Sequence, residues 1–260
     1  MFGLDLYTVV QQSETSPQQL ASGRRRFMSK RITSWEKHKM MMIFVVLIFL
    51  LAFILMRIGY TLYVMNCCSD KPIYVQRSIK SLVVLGSGGH TGEMLKIIRA
   101  LDVCRYSPRV YVVAATDTVS LRRLQDMEKE FKERAKGPDE EDQYVVEIVP
   151  RSREVGQSWL SSVFTTAWAF VFSMLIVFRH RPSLLLTNGP GTCVPICIAA
   201  FIMRVLCLSQ IRIVFIESLC RVLSLSLSGK ILYRVVDDFF VQWPQLKAKY
   251  PRSIYMGRLV

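Results

Sequence analysis

The first residues in this chain whose types and spacing could do chemistry form a glycine-rich segment around a histidine. Residues 85–95 read "LGSGGHTGEML", and Gly86, Gly88 and Gly89 come just before His90. Glycine lets the backbone turn tightly and lets a ligand approach without a clash against a Cβ atom. An imidazole can take up a proton at neutral pH, so His90 is the best candidate for a general base. Histidines at such junctions also serve structural roles, and the sequence leaves both roles open.

The flanking residues predict that this segment joins a strand to a helix. Residues 81–85 have strand character, and residues 91–101 carry apolar side chains at helical spacing. The N–H groups at a helix N-terminus are unpaired and partly positive, so they attract anions. The residues predicted to line this anion site are Gly86, Ser87, Gly88, Gly89, His90 and Thr91. Glu93, in the first predicted turn, compensates the same charge and weighs against a phosphate.

Two other interpretations of the segment stay open. One is a tight turn that binds no ligand. The other is a dinucleotide site, although the fingerprint GxGxxG would need glycine where Thr91 stands. Asp117, after the second predicted strand, occupies roughly the place of the acid that binds the ribose. A membrane-tethered nicotinamide-dependent dehydrogenase is therefore a weak alternative.

A second glycine loop precedes another predicted helix. Residues 187–195 read "TNGPGTCVP", and the candidates for binding are Asn188, Gly189, Gly191 and Thr192. Ligands of parallel sheets bind outside the carboxyl ends of the strands, so we expect this loop to face the first one. Two such loops suit a diphosphate or a phosphosugar better than either loop alone.

Charged side chains follow two further predicted strands. Arg151 and Arg153 come after the third strand, and Glu217 and Arg221 come after the fifth. Arginine can bind phosphate oxygens with two parallel N–H groups, so these are candidate polar contacts for an anion. The arginines after the third strand would equally suit a membrane headgroup, and a solvated loop is the alternative after the fifth. No metal-ligand spacing is present, and we predict neither a metal nor a cofactor.

The scaffold for these loops is an alternating pattern of strands and helices over residues 81–260. The predicted strands are 82–86, 109–115, 144–149, 183–187, 212–217, 238–243 and 253–257. Helical patterns, such as residues 118–135, fill most of the gaps between them. Near-continuous apolar strands joined by helices predict an α/β domain with a mostly parallel sheet covered on both faces.

Residues 159–178 are uncharged and long enough to suggest a membrane span. They lie between the third and fourth predicted strands, where a crossover helix is required. A true span would leave the later strands on the other side of the membrane from the first three, and one sheet could not form. We therefore expect a crossover helix that is buried or rests on a membrane surface.

The N-terminal part carries the clearest membrane signal. Residues 40–56, "MMMIFVVLIFLLAFILM", would span ~26 Å as a helix, close to the ~30 Å core of a bilayer. The apolar pattern continues past Arg57, so we predict a single transmembrane anchor over residues 40–65 and a linker over residues 66–80. A signal peptide is less favoured because no small-residue cleavage site follows.

The formal net charge of +14 points to a membrane rather than to nucleic acid. The basic residues crowd before residue 40, and the rest lacks the Lys/Arg runs with interleaved aromatics that nucleic-acid readers carry.

The seven cysteines have no zinc or disulfide spacing, which predicts a domain in the reducing cytosol. The positive-inside rule conflicts with this, because the upstream basic cluster would put the domain in the lumen. Translation from Met40, Met41 or Met42 would remove the conflict, so residues 1–39 are predicted to be a polar basic extension of uncertain native status.

A series of motifs over residues 79–260 resembles one family. In order they are "VVLGSGGHTGEML", "PRSREVGQSW", "VFTT", "NGPGTCVPIC", "ESLCRV", "LSGKILY", "FVQWP" and "YMGRLV". The chain is similar to the membrane-anchored subunit of the eukaryotic UDP-N-acetylglucosamine transferase of dolichol-linked oligosaccharide assembly, which serves asparagine-linked glycosylation. It is more distantly similar to the N-terminal half of the bacterial transferase that forms lipid II. Leu223 departs from the family, which tends to carry an acidic residue there.

The resemblance implies the Rossmann-like acceptor half of a GT-B glycosyltransferase, on the endoplasmic reticulum membrane with its domain in the cytosol. Residues 81–260 are about the size of one half, so a soluble partner subunit would bind UDP-N-acetylglucosamine. The chain would recruit that subunit into a heterodimer or larger assembly and be inactive alone. Together they would add the second N-acetylglucosamine to dolichyl-diphosphate-N-acetylglucosamine.

By position, the resemblance assigns the loops 86–90 and 188–192 to the diphosphate of the acceptor. His90 would lie nearest the acceptor hydroxyl and act as the base in an inverting transfer that needs no metal. The C-terminus would lie in the partner interface. The main alternative is a pure recruitment scaffold, with all the catalytic residues on the partner.

Overall fold

The computed structural model describes residues 17–67, 78–134, 144–151, 158–189 and 191–259. The predicted contact Arg153, most of the predicted linker 66–80 and the first sixteen residues lie outside these ranges. The chain divides into two units at the Met56–Arg57 bond, and the second unit contains the whole α/β domain.

The N-terminal helix α1 runs from Pro17 to Cys67 and includes the predicted anchor 40–65. Its part from Trp35 to Cys67 has a mean hydropathy of 2.9 over its most apolar window and is long enough to cross a membrane. No glycine or proline interrupts residues 40–56, and the apolar side chains there are exposed except for the half-buried Ile54. An exposed helix that is apolar on all sides is typical of a membrane span.

The last turns of α1 pack within the second unit. The guanidinium of Arg57 donates from Nε to the carbonyl of Val205 at 3.3 Å and from Nη2 to the thiol of Cys207 at 2.7 Å. The side chain of Met65 is buried in the core of the domain. The end of α1 is therefore part of the α/β domain and not a separate segment.

The α/β domain is built on one seven-stranded sheet in which every pairing is parallel. The strands are β1 Ser81–Val84, β2 Arg109–Ala114, β3 Tyr144–Val149, β4 Leu184–Asn188, β5 Arg212–Ile216, β6 Asp238–Val241 and β7 Ile254–Tyr255. Their order across the sheet is β3-β2-β1-β4-β5-β6-β7. The predicted α/β fold class with a mostly parallel sheet is confirmed.

Helices connect the strands and cover both faces of the sheet. They are α2 Gly89–Ala100, α3 Thr118–Arg134, α4 Trp159–His180, α5 Cys193–Val205, α6 Leu227–Leu232 and α7 Pro244–Lys249. Side chains alternate along each strand, so that Leu82 and Val84 pack in one apolar cluster while Val83 and Leu85 pack in another on the opposite face. This two-sided burial is why the strands read as continuous apolar runs.

The helix α4 is the crossover from β3 to β4, as its position in the sequence predicts. Both strands belong to the same sheet, so α4 does not carry the chain across a membrane. One face of α4 packs on the domain through Ala169, Ser173 and Val177. The opposite face is an exposed apolar stripe of Phe164, Trp168, Val171, Leu175 and Phe178.

The strand order reverses direction between β1 and β4. From β1 the chain moves outward through β2 to β3, and α4 then returns it to the other side of β1. Val84, the last residue of β1, pairs with Thr187 of β4, so the loops that follow these strands leave the sheet side by side. Such a switch point is where ligands of open parallel sheets bind.

A buried ionic network ties α3 to the start of β2. Arg109 of β2 donates from Nε and Nη2 to the two carboxylate oxygens of Glu128 at 2.9 and 2.8 Å, and Tyr111 donates its hydroxyl to the same carboxylate. Both charged side chains are almost fully buried. A buried charge is tolerated only when it is paired and hydrogen-bonded in this way.

Replacing Glu128 with glutamine should therefore destabilise the domain strongly. The substitution leaves the Arg109 charge uncompensated in the interior, which costs about 3–5 kcal/mol. The matched control is Glu130→Gln, which removes an exposed ion pair to Arg99 and should cost less than about 1 kcal/mol. Denaturant unfolding of the detergent-solubilised chain measures both. Equal losses from the two variants would contradict a structural role for the buried pair.

Candidate functional site

The first glycine loop leaves the start of α2 open to solvent. β1 ends at Val84 and α2 begins at Gly89, two residues earlier than the apolar pattern predicts. Gly88 is the N-cap residue at φ 65°, a left-handed conformation that favours glycine, and no side chain caps the helix. Ser87, Gly88 and Gly89 are exposed. The unpaired N–H groups of the first turn of α2 are thus available to a ligand.

The second glycine loop also leads to a helix without a side-chain cap. β4 ends at Asn188, Gly189 has a φ of 71°, and α5 follows with Thr192 as an N-cap that makes no side-chain hydrogen bond to the helix. Three other helices of the domain use a side chain: Asp117 accepts from the third residue of α3, as Ser158 does for α4 and Ser226 for α6, whereas the short α7 has no side-chain cap. The helices that begin beside the switch point, α2 and α5, are therefore left uncapped where an anion could take that place.

The two predicted loops meet in the structure. The imidazole Nδ1 of His90 lies 3.1 Å from the side-chain oxygen of Asn188. A Cβ atom at Gly189 would collide with the same imidazole, so only glycine lets the second loop come this close. The prediction that the loops face each other is confirmed.

Glu93 has a different position from the one that the sequence predicts. Because α2 begins at Gly89, Glu93 lies in the second turn and does not compensate the charge of the helix N-terminus. Its carboxylate instead accepts hydrogen bonds from Asn188 Nδ2 at 2.9 Å, from Ser218 Oγ at 2.9 Å and from the backbone N–H of Leu219 at 3.3 Å. Glu93 therefore joins the loops that follow β1, β4 and β5.

The hydroxyl of Thr91 and the carboxylate of Asp117 are both engaged inside the domain. Thr91 is buried and donates its hydroxyl to the carbonyl of Gly86, beside the hydroxyl of Ser120. Asp117 accepts from the N–H and the hydroxyl of Ser120 at 3.0 and 2.6 Å. The acid that would bind a ribose in the dehydrogenase hypothesis is thus the cap of α3, which removes the support for that hypothesis.

Glu217 turns inward and shapes the loop after β5. Its carboxylate accepts from the N–H and hydroxyl of Ser226 at 3.0 and 3.1 Å and from the N–H of Ser218 at 3.2 Å. Burial raises the pKa of Glu217, and these hydrogen bonds offset part of the rise. The same loop is held by Trp243, whose indole N–H donates to the carbonyl of Leu219 at 2.7 Å. The side chain of Arg221 is exposed on this braced loop.

The remaining predicted contacts are distributed unevenly around the switch point. Thr192 is buried and Gly191 is exposed in the second loop. Arg151 is half-buried just after β3, the edge strand, which lies two strands from β1 and thus ~10 Å away. The residues that converge come from the loops after β1, β4 and β5. Sequence reasoning missed Ser218 and the role of Glu93, because their partners are more than ninety residues away along the chain.

Comparison with known proteins identifies a matching family. The profile described as "Oligosaccharide biosynthesis protein Alg14 like" matches residues 81–259. A protein of Rattus norvegicus named UDP-N-acetylglucosamine transferase subunit ALG14 is 48% identical over 189 residues, which are 73% of this chain and 87% of that protein. Its namesake in Homo sapiens is 47% identical over 185 residues, 71% of this chain and 85% of that protein. The namesake in Schizosaccharomyces pombe is 44% identical over 179 residues, which are 68% of this chain and 81% of that protein.

Among solved structures, the crystal structure of MurG from Acinetobacter baumannii is similar at a TM-score of 0.46 and 15% sequence identity. The match covers 64% of this chain and 42% of that chain.

Replacing Gly189 with alanine should displace the imidazole of His90. The new Cβ would collide with the ring, and the left-handed backbone at φ 71° would be strained, for a total cost of about 1–3 kcal/mol. The matched control is Gly92→Ala in α2, where the nearest atom to the new Cβ is Arg123 Nη1 at 3.9 Å. That variant should gain up to about 1 kcal/mol of helix stability. Thermal unfolding and the NMR signals of the His90 imidazole test both, and unchanged signals in the Gly189 variant would contradict the close contact.

Proposed function

The chain belongs to the Alg14 family of oligosaccharide biosynthesis proteins, and from that premise we propose that it is the acceptor-binding subunit of a UDP-N-acetylglucosamine transferase. The acceptor is dolichyl-diphosphate-N-acetylglucosamine, and the reaction adds the second N-acetylglucosamine. The observation that carries the proposal is the meeting of two uncapped helix N-termini, α2 and α5, with the side chain of His90 between them.

The diphosphate of the acceptor binds at these helix starts. The first turn of α2 supplies N–H donors and a partial positive charge, which together favour phosphate oxygens. The start of α5 adds mainly partial positive charge, because the N–H of Val194 donates to the carbonyl of Gly191 and Pro195 has no N–H. Gly86, Ser87, Gly88 and Gly89 provide a loop without bulky side chains, and the second loop provides Gly189 and Gly191. Arg221, whose side chain is exposed on the loop after β5, contributes a further contact.

His90 accepts the proton of the attacking hydroxyl. As the hydroxyl oxygen of the acceptor sugar bonds to C1 of the donor sugar, its proton passes to Nε2 of His90. The bond between C1 and the UDP oxygen breaks, and UDP leaves with the electron pair of that bond. Attack from the side opposite to UDP inverts the configuration at C1, and the chemistry is general-base catalysis on a positioned hydroxyl.

A second, soluble subunit binds the donor. The relatives that this chain covers over 85–87% of their length are named as subunits, which supports a partner. The parallel sheet of this domain is the acceptor half of a GT-B enzyme, and the partner is the half that holds UDP-N-acetylglucosamine. The C-terminal segment after β7 lies in the interface between the two. The chain alone therefore has no activity.

The domain works at a membrane surface, on the cytosolic side of the endoplasmic reticulum. The composition of α1 supports a membrane anchor from residue 40 onward, and within the predicted segment 40–65 the residues from Arg57 to Met65 pack on the α/β domain. The exposed stripe of α4 supports a second contact, because Phe164, Trp168 and Leu175 lie on one helix face and Arg179 and Arg181 follow at its end. A helix with an apolar face, aromatic side chains and terminal arginines is suited to lie in the headgroup region. A lipid-borne acceptor would then reach the loops without leaving the membrane.

Replacing His90 with alanine should abolish most of the turnover while the partner still binds. Loss of a general base lowers kcat by about 10²–10⁴-fold. The assay follows transfer from UDP-N-acetylglucosamine by the membrane-reconstituted complex, and co-purification measures partner binding. Unaltered chain without its partner, expected to transfer nothing, is the control. Full turnover of the alanine variant would favour the scaffold alternative, in which the partner holds all the catalytic residues.

The apolar stripe of α4 should contact lipid in the full-length protein. When the chain is reconstituted in vesicles that contain a photoreactive phospholipid, cross-links should form at Phe164, Trp168 and Leu175. Val119 of α3 is the matched control, because it is exposed and apolar but lies outside the stripe. Mass spectrometry of the labelled peptides measures both sites. An unlabelled α4, or equal labelling of Val119, would contradict the second membrane contact.

A further inference from the structure

We infer that Glu93, acting through Asn188, holds the proton of neutral His90 on Nδ1 and so leaves Nε2 free to accept a proton. Glu93 and Asn188 are positioning residues in this arrangement, and only His90 meets the substrate. The inference rests on the proposed role of His90 as the base, but the arrangement of hydrogen bonds can be tested without it.

The argument starts from the carboxylate of Glu93, which can only accept hydrogen bonds. Its Oε1 atom accepts from Ser218 Oγ at 2.9 Å and from the N–H of Leu219 at 3.3 Å. Its Oε2 atom accepts from the side-chain amide of Asn188 at 2.9 Å. An ionised carboxylate requires a donor at every contact, so the NH₂ group of Asn188 must face Glu93.

The orientation of Asn188 then determines the tautomer of His90. With its NH₂ group directed at Glu93, Asn188 presents its carbonyl oxygen to His90 Nδ1 at 3.1 Å. A carbonyl oxygen has no proton to give, so Nδ1 must carry the hydrogen. In a neutral imidazole the other nitrogen, Nε2, is then unprotonated. Within the described ranges of the chain, no side chain or backbone group forms a hydrogen bond with Nε2.

Glu93 cannot exert this effect directly. The distance from His90 Nδ1 to Glu93 Oε2 is 3.9 Å, which is too long for a hydrogen bond. Asn188 bridges the gap from the end of β4, where it is fully buried and its backbone pairs with Ile216 of β5. The side chain of Glu93 is 14% exposed and that of His90 is 34% exposed. The relay therefore runs from a mostly buried carboxylate to a partly open imidazole that faces the ligand loops.

A purely structural role for Glu93 is the competing explanation, because the residue also ties three loops together. The variant Glu93→Gln separates the two roles. Glutamine has the same shape, and its oxygen can keep the contacts with Ser218 and Leu219. Its NH₂ group, however, takes the place of Oε2 and opposes the NH₂ group of Asn188. Asn188 must then turn over, present NH₂ to Nδ1 of His90 and move the proton of the imidazole to Nε2.

The second variant restores the pattern by exchanging the charge between the two positions. In Glu93→Gln with Asn188→Asp, the amide of residue 93 donates to the carboxylate of residue 188, which again accepts from Nδ1 of His90. The single variant Asn188→Asp sets two carboxylates against each other and should fail. Ser218→Ala is the structural control, because it removes one brace from Glu93 and leaves the donor pattern around Asn188 intact.

The experiment measures ¹⁵N signals of the His90 imidazole, and turnover, in the complex with the soluble partner at a pH where the imidazole is neutral. The unaltered complex should show a protonated Nδ1 and an unprotonated Nε2. Glu93→Gln should reverse this and lower kcat by about 10²-fold with little change in the KM for the acceptor. The double variant should recover both the tautomer and most of the turnover, and Ser218→Ala should keep the original tautomer.

Each outcome has a distinct meaning. A protonated Nε2 in the unaltered complex overturns the inference without any variant. An unchanged tautomer in Glu93→Gln, or a double variant that does not recover it, also overturns the inference. If the tautomers behave as expected while His90→Ala keeps full turnover, the relay stands and the proposed base is wrong. If Ser218→Ala disturbs the tautomer as much as Glu93→Gln does, the role of Glu93 is structural and the inference fails.

Discussion

The parallel pairing of β1 with β4 is the constraint on which the site depends. Parallel strands end at the same edge of a sheet, so the pairing of Val84 with Thr187 sends both glycine loops out side by side. The helices α2 and α5 then start within reach of one another, and His90 meets Asn188 across a separation of 98 residues. A different neighbour for β1 would leave each loop as an isolated turn. The chemistry therefore depends first on strand order.

Hydrogen-bonded carboxylates brace the loops at this edge. Glu93 and Glu217 each accept three hydrogen bonds: Glu93 connects the loops after β4 and β5 to α2, and Glu217 joins the two ends of the loop after β5. An unsatisfied polar group in such a place costs about 1–3 kcal/mol, so each of these networks must be complete. The complete set of hydrogen bonds around Glu93 also has a functional consequence. Because the carboxylate needs a donor from Asn188, it defines which way the side-chain amide of Asn188 is oriented. Stability and preorganisation of the site come from the same contacts.

The N-termini of α2 and α5, in contrast, have no side-chain cap. Side chains cap α3, α4 and α6 from Asp117, Ser158 and Ser226, which satisfies N–H groups that would otherwise need water. The glycine loops give up that stabilisation at α2 and α5. The short helix α7 also lacks a side-chain cap, but at α2 and α5 a glycine loop beside the switch point precedes the uncapped start. The helix α4 also has two distinct sides. Ser158 caps its N-terminus and one face packs on the domain, whereas the opposite face is apolar and exposed.

The amino-acid sequence by itself determined the elements of this protein. Apolar periodicity is a local property, so all seven strands and the crossover α4 could be predicted with ends within a few residues, as could both glycine loops and the apolar part of α1. The apolar pattern predicts the start of α2 two residues too late, because glycine carries no apolar signal, and it therefore predicts Glu93 in the first turn when Glu93 lies in the second. Only the tertiary structure decided what the polar side chains contact. Glu217 turns inward and Arg151 lies beyond β2, whereas Ser218 reaches Glu93 and Asn188 reaches His90. These contacts join residues that are distant along the chain, and a hydrogen bond between them forms only once the strand order brings donor and acceptor together.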